Sequence, residues 1–136
     1  MPEPLDGMIV IEMTIAVPGP AAALYLRDMG AQVFKVEPPL GDPSRYGRGR
    51  QNETPDGTMG PQYVAVNRGK RSICIDLKTD SGAKVIQSLL ATADVFLTNY
   101  REAALQSLDL SYDQLHQKFP RLIYASVNGF GPKGPD

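Results

Sequence analysis

Basic residues are the most prominent candidates for ligand binding in this sequence. They outnumber the acidic residues between positions 45 and 78, a stretch that contains Arg45, Arg48, Arg50, Arg68, Lys70, Arg71 and Lys78. Clustered Arg and Lys side chains favour phosphate because they form charge-assisted hydrogen bonds with its oxygens. A compact polyphosphate ligand and a solvated basic loop both fit this pattern, and charge alone favours the loop.

A second candidate is the segment Pro18-Gly19-Pro20, which follows an apolar run and precedes a helical one. The free N–H groups and the dipole at a helix N-terminus can bind an anion. The segment does not match the GxGxxG dinucleotide fingerprint, so a tight strand-to-helix turn is the simpler interpretation.

The remaining reactive side chains indicate no metal site and no catalytic residue. His116 is the single histidine and lies on a polar helix face, without the Cys or carboxylate neighbours that zinc sites need. No histidine is placed to activate a serine. Cys74, the single cysteine, is predicted to be a small apolar filler inside a strand.

The elements that position these residues alternate between strands and helices, which is typical of a parallel sheet with crossover helices. Strands are predicted at Met8–Met13, Val33–Glu37, Ser72–Leu77, Asp94–Thr98 and Leu122–Val127. Helices are predicted at Ala21–Met29, Tyr63–Val66, Ser81–Ala91, Glu102–Leu108 and Tyr112–Gln117, and a long loop at Leu40–Pro61. The sequence therefore predicts an α/β fold, a Rossmann-like three-layer parallel sheet covered by helices.

Length and composition favour one globular unit. The chain has 136 residues and a net charge of -1, which does not indicate attraction to nucleic acid or to an anionic membrane. No apolar run approaches the ~20 residues that span a bilayer, so we expect a cytoplasmic protein. The chain stops within the Gly- and Pro-rich run Gly129–Asp136, directly after a predicted strand, so we expect an incomplete domain.

An ordered set of short motifs resembles the start of the class III CoA-transferase family, which includes formyl-CoA and carnitine CoA-transferases and the α-methylacyl-CoA racemases. Each motif is weak alone, but the set occurs in a consistent order along essentially the whole chain. It comprises Pro4–Gly7, Pro18–Pro20, Asp28–Ala31, Lys35–Asp42, Asn67–Ser72, Asp76–Thr79, Ala93–Val95, Asn99–Arg101, Pro120–Tyr124 and Gly129–Pro132.

This resemblance implies that residues 1–136 are the N-terminal, Rossmann-like CoA-binding portion of a longer polypeptide that forms an interlocked dimer. The loop Ala16, Val17, Pro18 would line the pantetheine and thiol end of CoA. The adenosine and phosphate end would be flanked by Ile75, Lys78, Asn99, Tyr100 and Ala104. We add Arg71 to the candidate phosphate contacts from its charge alone. We also expect a homo-oligomer that forms through exposed apolar surface.

The sequence departs from the family pattern at three positions. Pro38 and Ser107 stand where some members have arginine, which removes two possible phosphate contacts, and Asp109 stands where glycine is common. The resemblance also implies that the family's catalytic groups, an aspartate in transferases and a His and Asp in racemases, lie downstream of the Gly129–Pro132 region. Asp136 is therefore not the catalytic aspartate.

We expect a CoA-binding part of a class III CoA-transferase-like protein that is inactive by itself, with coenzyme A as its ligand and no metal. The alternatives are a non-catalytic binding or assembly module derived from the family, and a racemase-type fragment. A nucleotide or nucleic-acid binder acting through the basic loop ranks last, since aromatic residues that could stack bases are few.

Overall fold

The computed structural model of the chain describes residues 2–46 and 59–131. Their five strands are β1 (Ile9–Met13), β2 (Gln32–Glu37), β3 (Arg71–Cys74), β4 (Val95–Thr98) and β5 (Ile123–Ser126). All neighbouring strands pair in parallel, in the order β3-β2-β1-β4-β5. The predicted parallel sheet is confirmed, and its strand order reverses direction between β1 and β4.

Helices cover both faces of this sheet. They are α1 (Pro18–Asp28), α2 (Pro61–Asn67), α3 (Asp80–Leu90), α4 (Glu102–Ser107) and α5 (Tyr112–Lys118), with a 3₁₀ helix at Pro43–Tyr46. The helices α1 and α2 lie on one face, and α3, α4 and α5 lie on the other. Proline at the start of α1 and α2, and the Thr79 side chain at the start of α3, fix where these helices begin.

Alternation along the strands builds two cores. Ile11, Met13 and Phe96 point to the side of α3, α4 and α5, where they pack with Ile86 and Leu115. The intervening residues point to the side of α1 and include Val10, Val33 and Leu97. Because successive strand residues face opposite sides, two charged residues of β1 and β2 also face α1, Glu12 and Lys35, which are paired by the register.

Two sequence predictions about β3 need correction. The strand ends at Cys74 rather than continuing to Leu77. Cys74 is exposed and is not an interior filler, because among the described strands β3 pairs with β2 alone and is an edge strand. The long loop predicted at residues 40–61 contains the Pro43–Tyr46 3₁₀ helix, and its part at residues 47–58 lies outside the described residues.

Candidate functional site

The carboxyl ends of β1 and β4 meet where the strand order reverses, the position at which open parallel sheets bind ligands. The residues that follow these two strands are joined directly. Asn99, after β4, donates from Nδ2 to the Ile15 carbonyl at 2.8 Å and accepts from the Ile15 N–H at 3.0 Å. This paired hydrogen bond fixes the loop after β1 against the end of β4.

The loop after β1 is short, exposed and conformationally constrained. Ala16 has φ of 65°, in the left-handed region that costs a non-glycine residue roughly 1–2 kcal/mol. A Cβ on Gly19 would lie 2.6 Å from Thr14 Cβ, so only glycine allows α1 to begin this close to the loop. Pro18 and Pro20 have no N–H and Ala21 N–H donates to Val17, so the first turn offers an anion at most the Gly19 N–H.

A pocket of about 150 Å³ opens at the carboxyl ends of the strands, on the side of α3 and α4. We call it the carboxyl-end pocket. Its wall is mainly apolar and is formed by Met13, Val36, Ile75, Leu77, Tyr100 and Leu108. Glu37, Asp76 and Lys78 also belong to its lining. Burial, together with the charges of Asp42 and Glu37, raises the pKa of the Tyr100 hydroxyl above its ordinary value.

Glu37, at the end of β2, is the centre of a dense hydrogen-bond cluster. Its carboxylate accepts two bonds of 2.7 Å from the Arg45 guanidinium. It also accepts from Ser72 Oγ at 2.6 Å, Tyr63 OH at 2.9 Å and Asp42 N–H at 2.9 Å. Burial alone raises the pKa of Glu37, but these donors outweigh it and lower that pKa to about 2. The carboxylate thus holds the segment after β2 beside the carboxyl-end pocket.

A second polar cluster lies on the α1 side of the sheet and is almost completely buried. Lys35 Nζ lies 3.4 Å from Glu12 Oε1 and 3.0 Å from Asp42 Oδ2. Lys70 Nζ lies 2.8 Å from Glu12 Oε2 and donates to the Pro20 carbonyl at 2.8 Å. The two cations balance the two carboxylates, as buried charges require. Burial lowers the pKa of Lys70, and the Glu12 carboxylate opposes that effect.

The structure places eight of the nine sequence-predicted site residues at or just beyond the carboxyl ends of the strands. Ile75, Lys78 and Tyr100 line the carboxyl-end pocket. Ala16, Val17 and Pro18 form the loop after β1, which Asn99 contacts through Ile15, and Ala104 is exposed in the first turns of α4. Arg71 lies apart from them, at the amino end of β3, where its guanidinium carbon is 5.7 Å from the centre of the Phe34 ring.

The basic residues do not form one free patch in the described part of the chain. Arg45 pairs with Glu37, Arg68 with Asp28, and Lys70 with Glu12. Arg48 and Arg50 lie outside the described residues. Lys78 is exposed beside the carboxyl-end pocket and has no carboxylate partner among residues 2–46 and 59–131. It is therefore the described cation best placed to meet a phosphate there.

Sequence reasoning missed the two charged clusters. Their signal was present, since Glu12 and Lys35 each interrupt an apolar strand, and such residues are almost never fully buried unless they are paired. Glu12 and Glu37 were predicted only as parts of strands, without a partner for their charges. Arg45 and Lys70 were counted as candidate phosphate ligands, whereas the structure uses both in internal ion pairs.

The structure locates the three residues that differ from the family pattern. Pro38 lines the carboxyl-end pocket, and Ser107 ends α4 with its hydroxyl donating to the Ala104 carbonyl at 2.8 Å. Asp109 has φ of 60°, the conformation in which glycine is favoured, and its carboxylate accepts from Gln114 at 2.7 Å. Asparagine and aspartate tolerate this conformation better than other side chains.

Neither a metal site nor a bilayer-spanning segment is found within residues 2–46 and 59–131. These residues contain no group of three or more His, Cys, Asp or Glu side chains arranged to hold a metal ion. Their helices are also too short or too polar to cross a membrane.

Comparison with known proteins gives consistent matches over nearly the whole chain. The profile of CoA-transferase family III matches residues 5–136. The cinnamoyl-CoA:phenyllactate CoA-transferase of Clostridium sporogenes is 38% identical over 131 residues, which cover 96% of this chain and 32% of that protein. The succinate–glutarate CoA-transferase of Agrobacterium fabrum is 44% identical over 135 residues, covering 97% of this chain and 34% of that protein.

Solved structures agree with these sequence matches. The crystal structure of a CAIB/BAIF family protein from Brucella suis has a TM-score of 0.89 and 38% identity, covering 99% of this chain and 36% of that one. The chain thus spans about a third of the length of the relatives it matches.

Proposed function

The chain belongs to CoA-transferase family III, and on that basis we propose that residues 1–136 carry the CoA-binding part of a protein that transfers CoA between carboxylic acids. Coenzyme A, free or acylated, is the proposed ligand. The whole protein's activity and substrates are included in the proposal, because this chain spans about a third of its relatives. No residue of this chain is assigned a catalytic role.

The observation that carries the proposal is the composition of the carboxyl-end pocket. Its apolar wall of Ile75, Leu77 and Tyr100 suits the flat face of an adenine, since aromatic and aliphatic side chains bury such rings well. Lys78 stands in the same lining as a cation for the phosphates of the nucleotide end. The resemblance of the sequence to the family implies the same place for Ile75, Lys78 and Tyr100.

The loop after β1 supports a binding site for the pantetheine and thiol end of CoA. Ala16, Val17 and Pro18 lie at the reversal of strand order, and they are exposed rather than packed in the core. Backbone strain such as that of Ala16 is concentrated at functional sites, where the surrounding structure holds it in place. We assign the pantetheine and thiol end of CoA to this loop, with Asn99 holding it in position.

A transferase is favoured over a racemase because the two matched relatives are named as CoA-transferases. In this proposal residues 1–136 bind CoA, and the carboxylate that accepts the acyl group lies elsewhere in the protein. We therefore expect residues 1–136 alone to bind CoA without turnover. A homo-oligomer and a cytoplasmic location, both expected from the sequence, stay predictions.

The test is a calorimetric titration of the chain with CoA, ATP and a short oligonucleotide in parallel. We expect CoA to bind most tightly. Lys78→Met should weaken CoA binding about fivefold, since a hydrogen bond to a charged group contributes about 1.5 kcal/mol or more when it is well formed and less when it is exposed. Lys84→Met, which removes an exposed lysine of α3, is the matched control and should have no effect.

The same titration decides the role of Arg71. Because Arg71 lies at the amino end of β3, we expect Arg71→Met to leave the affinity for CoA unchanged. The proposal fails if the chain does not bind CoA at millimolar concentration, or if the oligonucleotide binds more tightly than CoA.

A further inference from the structure

One buried ammonium group contacts residues from both loops that border the candidate site. The Lys35 side chain is 1% exposed. Its Nζ donates to the Thr14 carbonyl at 2.8 Å, lies 3.0 Å from Asp42 Oδ2, and lies 3.4 Å from Glu12 Oε1. Thr14 begins the loop after β1, whereas Asp42 belongs to the segment after β2.

Further hydrogen bonds hold the partners of Lys35 in position. Asp42 donates its N–H to Glu37 and accepts from Ser44 through Oδ1, so its position fixes the start of the 3₁₀ helix. The Thr14 hydroxyl donates to Glu12 Oε1 at 2.6 Å. Strand register places Glu12 directly beside Lys35, so the pair forms whenever β1 and β2 are correctly aligned.

A contribution to folding stability does not by itself explain why this charged cluster is buried. Removing charges from water costs several kcal/mol per ion, and well-packed apolar residues of similar volume often stabilise a protein equally well or better. Asp42 Oδ2 and Glu12 Oε2 have no well-directed hydrogen bond within the described residues, so their attraction to the two lysines is chiefly Coulombic. What the charged cluster adds over an apolar core is a defined geometry for the backbone that it touches.

We propose that Lys35 is a positioning residue that fixes the spacing between the loop after β1 and the segment after β2 for the pantetheine arm of CoA. This inference rests on the proposed function, because the arm is assigned to the loop that follows Thr14. Lys35 does not touch the ligand. It acts through the Thr14 carbonyl on one side and through Asp42 on the other.

The obvious variant, Lys35→Met alone, would leave two buried carboxylates with a single cation, and such a loss can unfold a protein. The test therefore uses the charge-balanced double variant Lys35→Met with Asp42→Asn, which retains the Glu12–Lys70 pair. Its matched control is Lys84→Met with Asp80→Asn, which makes the same chemical changes on the exposed surface of α3. Both variants are first checked for folding by circular dichroism.

The first readout is hydrogen exchange of peptides covering residues 14–17 in the ligand-free chain. In the double variant we expect about tenfold faster exchange there than in the wild type or the control, since a lost hydrogen bond to a charged group is of that size. Asp42→Asn alone retains the bond from Lys35 to Thr14, so it should leave this exchange at the wild-type rate.

The second readout compares CoA with adenosine 3′,5′-bisphosphate, which lacks the pantetheine arm. The double variant should lose about tenfold in affinity for CoA and should bind the bisphosphate within about twofold of the wild type. Equal losses for both ligands, or unchanged loop exchange, would overturn the inference. If the wild type binds neither ligand, the proposed function fails, and the exchange comparison alone decides whether Lys35 positions the loop.

Discussion

Charged side chains inside strands are the residues that tie this sheet to its loops. Glu12, Lys35 and Glu37 occupy strand positions on the α1 side, and each is nearly inaccessible to solvent. Their partners come from the segments that follow the strands, such as Thr14, Asp42 and Arg45. Each of these buried charges therefore positions the segment that supplies its partner.

The low pKa of Glu37 predicts a specific loss of stability in acid. Its pKa of about 2 lies below the ordinary value of 4.5, so the carboxylate stabilises the fold fully above pH 4.5 and loses that contribution as the pH falls towards 2. The amount is about 3 kcal/mol in the free energy of unfolding. Urea unfolding between pH 7 and pH 2.5 measures it.

Glu37→Gln should remove this part of the pH dependence and lower stability at pH 7 by about 3 kcal/mol, because it breaks a buried ion pair. Glu102→Gln, which changes an exposed carboxylate at the start of α4, is the control. A Glu37→Gln protein with the wild-type acid dependence would show that other carboxylates carry the effect.

At the scale of elements, the turns that lead into the helices limit the choice of residue more than the helices themselves do. Helix α3 begins after the turn that carries Asp76 and Lys78, and the Thr79 hydroxyl accepts from the Gly82 N–H at 3.1 Å. The backbone carbonyl of Asp76 lies so close to Gly82 that a Cβ there would be 2.0 Å from it. This turn lines the carboxyl-end pocket, so the start of α3 sets the position of Lys78.

Gly82→Ala tests this element because two effects oppose each other. Helix propensity alone would stabilise the variant by about 1 kcal/mol. Overpacking against the Asp76 carbonyl costs more, so we expect a net loss of about 2 kcal/mol. Chemical denaturation measures the change. Ser88→Ala, at an exposed position of the same helix, should stay within about 0.5 kcal/mol of the wild type, and a stabilised Gly82→Ala protein would contradict the close approach.

At the scale of the molecule, cover by helices is uneven across the sheet. The strands β1 and β4 are almost fully buried and are hydrogen-bonded on both sides. The strands β3 and β5 each pair with one neighbour among the described residues, and Ile123 in β5 is 59% exposed. The central strands therefore form the part of the fold that opens only when the chain unfolds globally.

Native-state hydrogen exchange by NMR should show this order. We expect the amides of β1 and β4 to exchange at the rate set by global unfolding, whereas those of β3 and β5 should exchange at least tenfold faster through local opening. The central strands provide the internal reference. Protection in β5 equal to that in β4 would contradict the expectation.

The sequence determined the class of fold and the approximate elements, because apolar runs, prolines and glycines act over a few residues. Each predicted strand is found, with its ends shifted by at most three residues. The motif order also indicated the family. The long-range contacts could not be read in this way, as Arg45 and Lys70 show, since a cation's partner depends on which distant segment the fold brings to it.

Tertiary structure alone decided which charges are available to a ligand. Parallel register placed Glu12 beside Lys35, and the crossover from β3 to β4 brought Asn99 to Ile15, 84 residues away along the chain. The same topology separated Arg71 from Lys78, although they are seven positions apart, because a parallel strand carries its two ends to opposite edges of the sheet. Local patterns therefore specified the elements, and strand order specified the site.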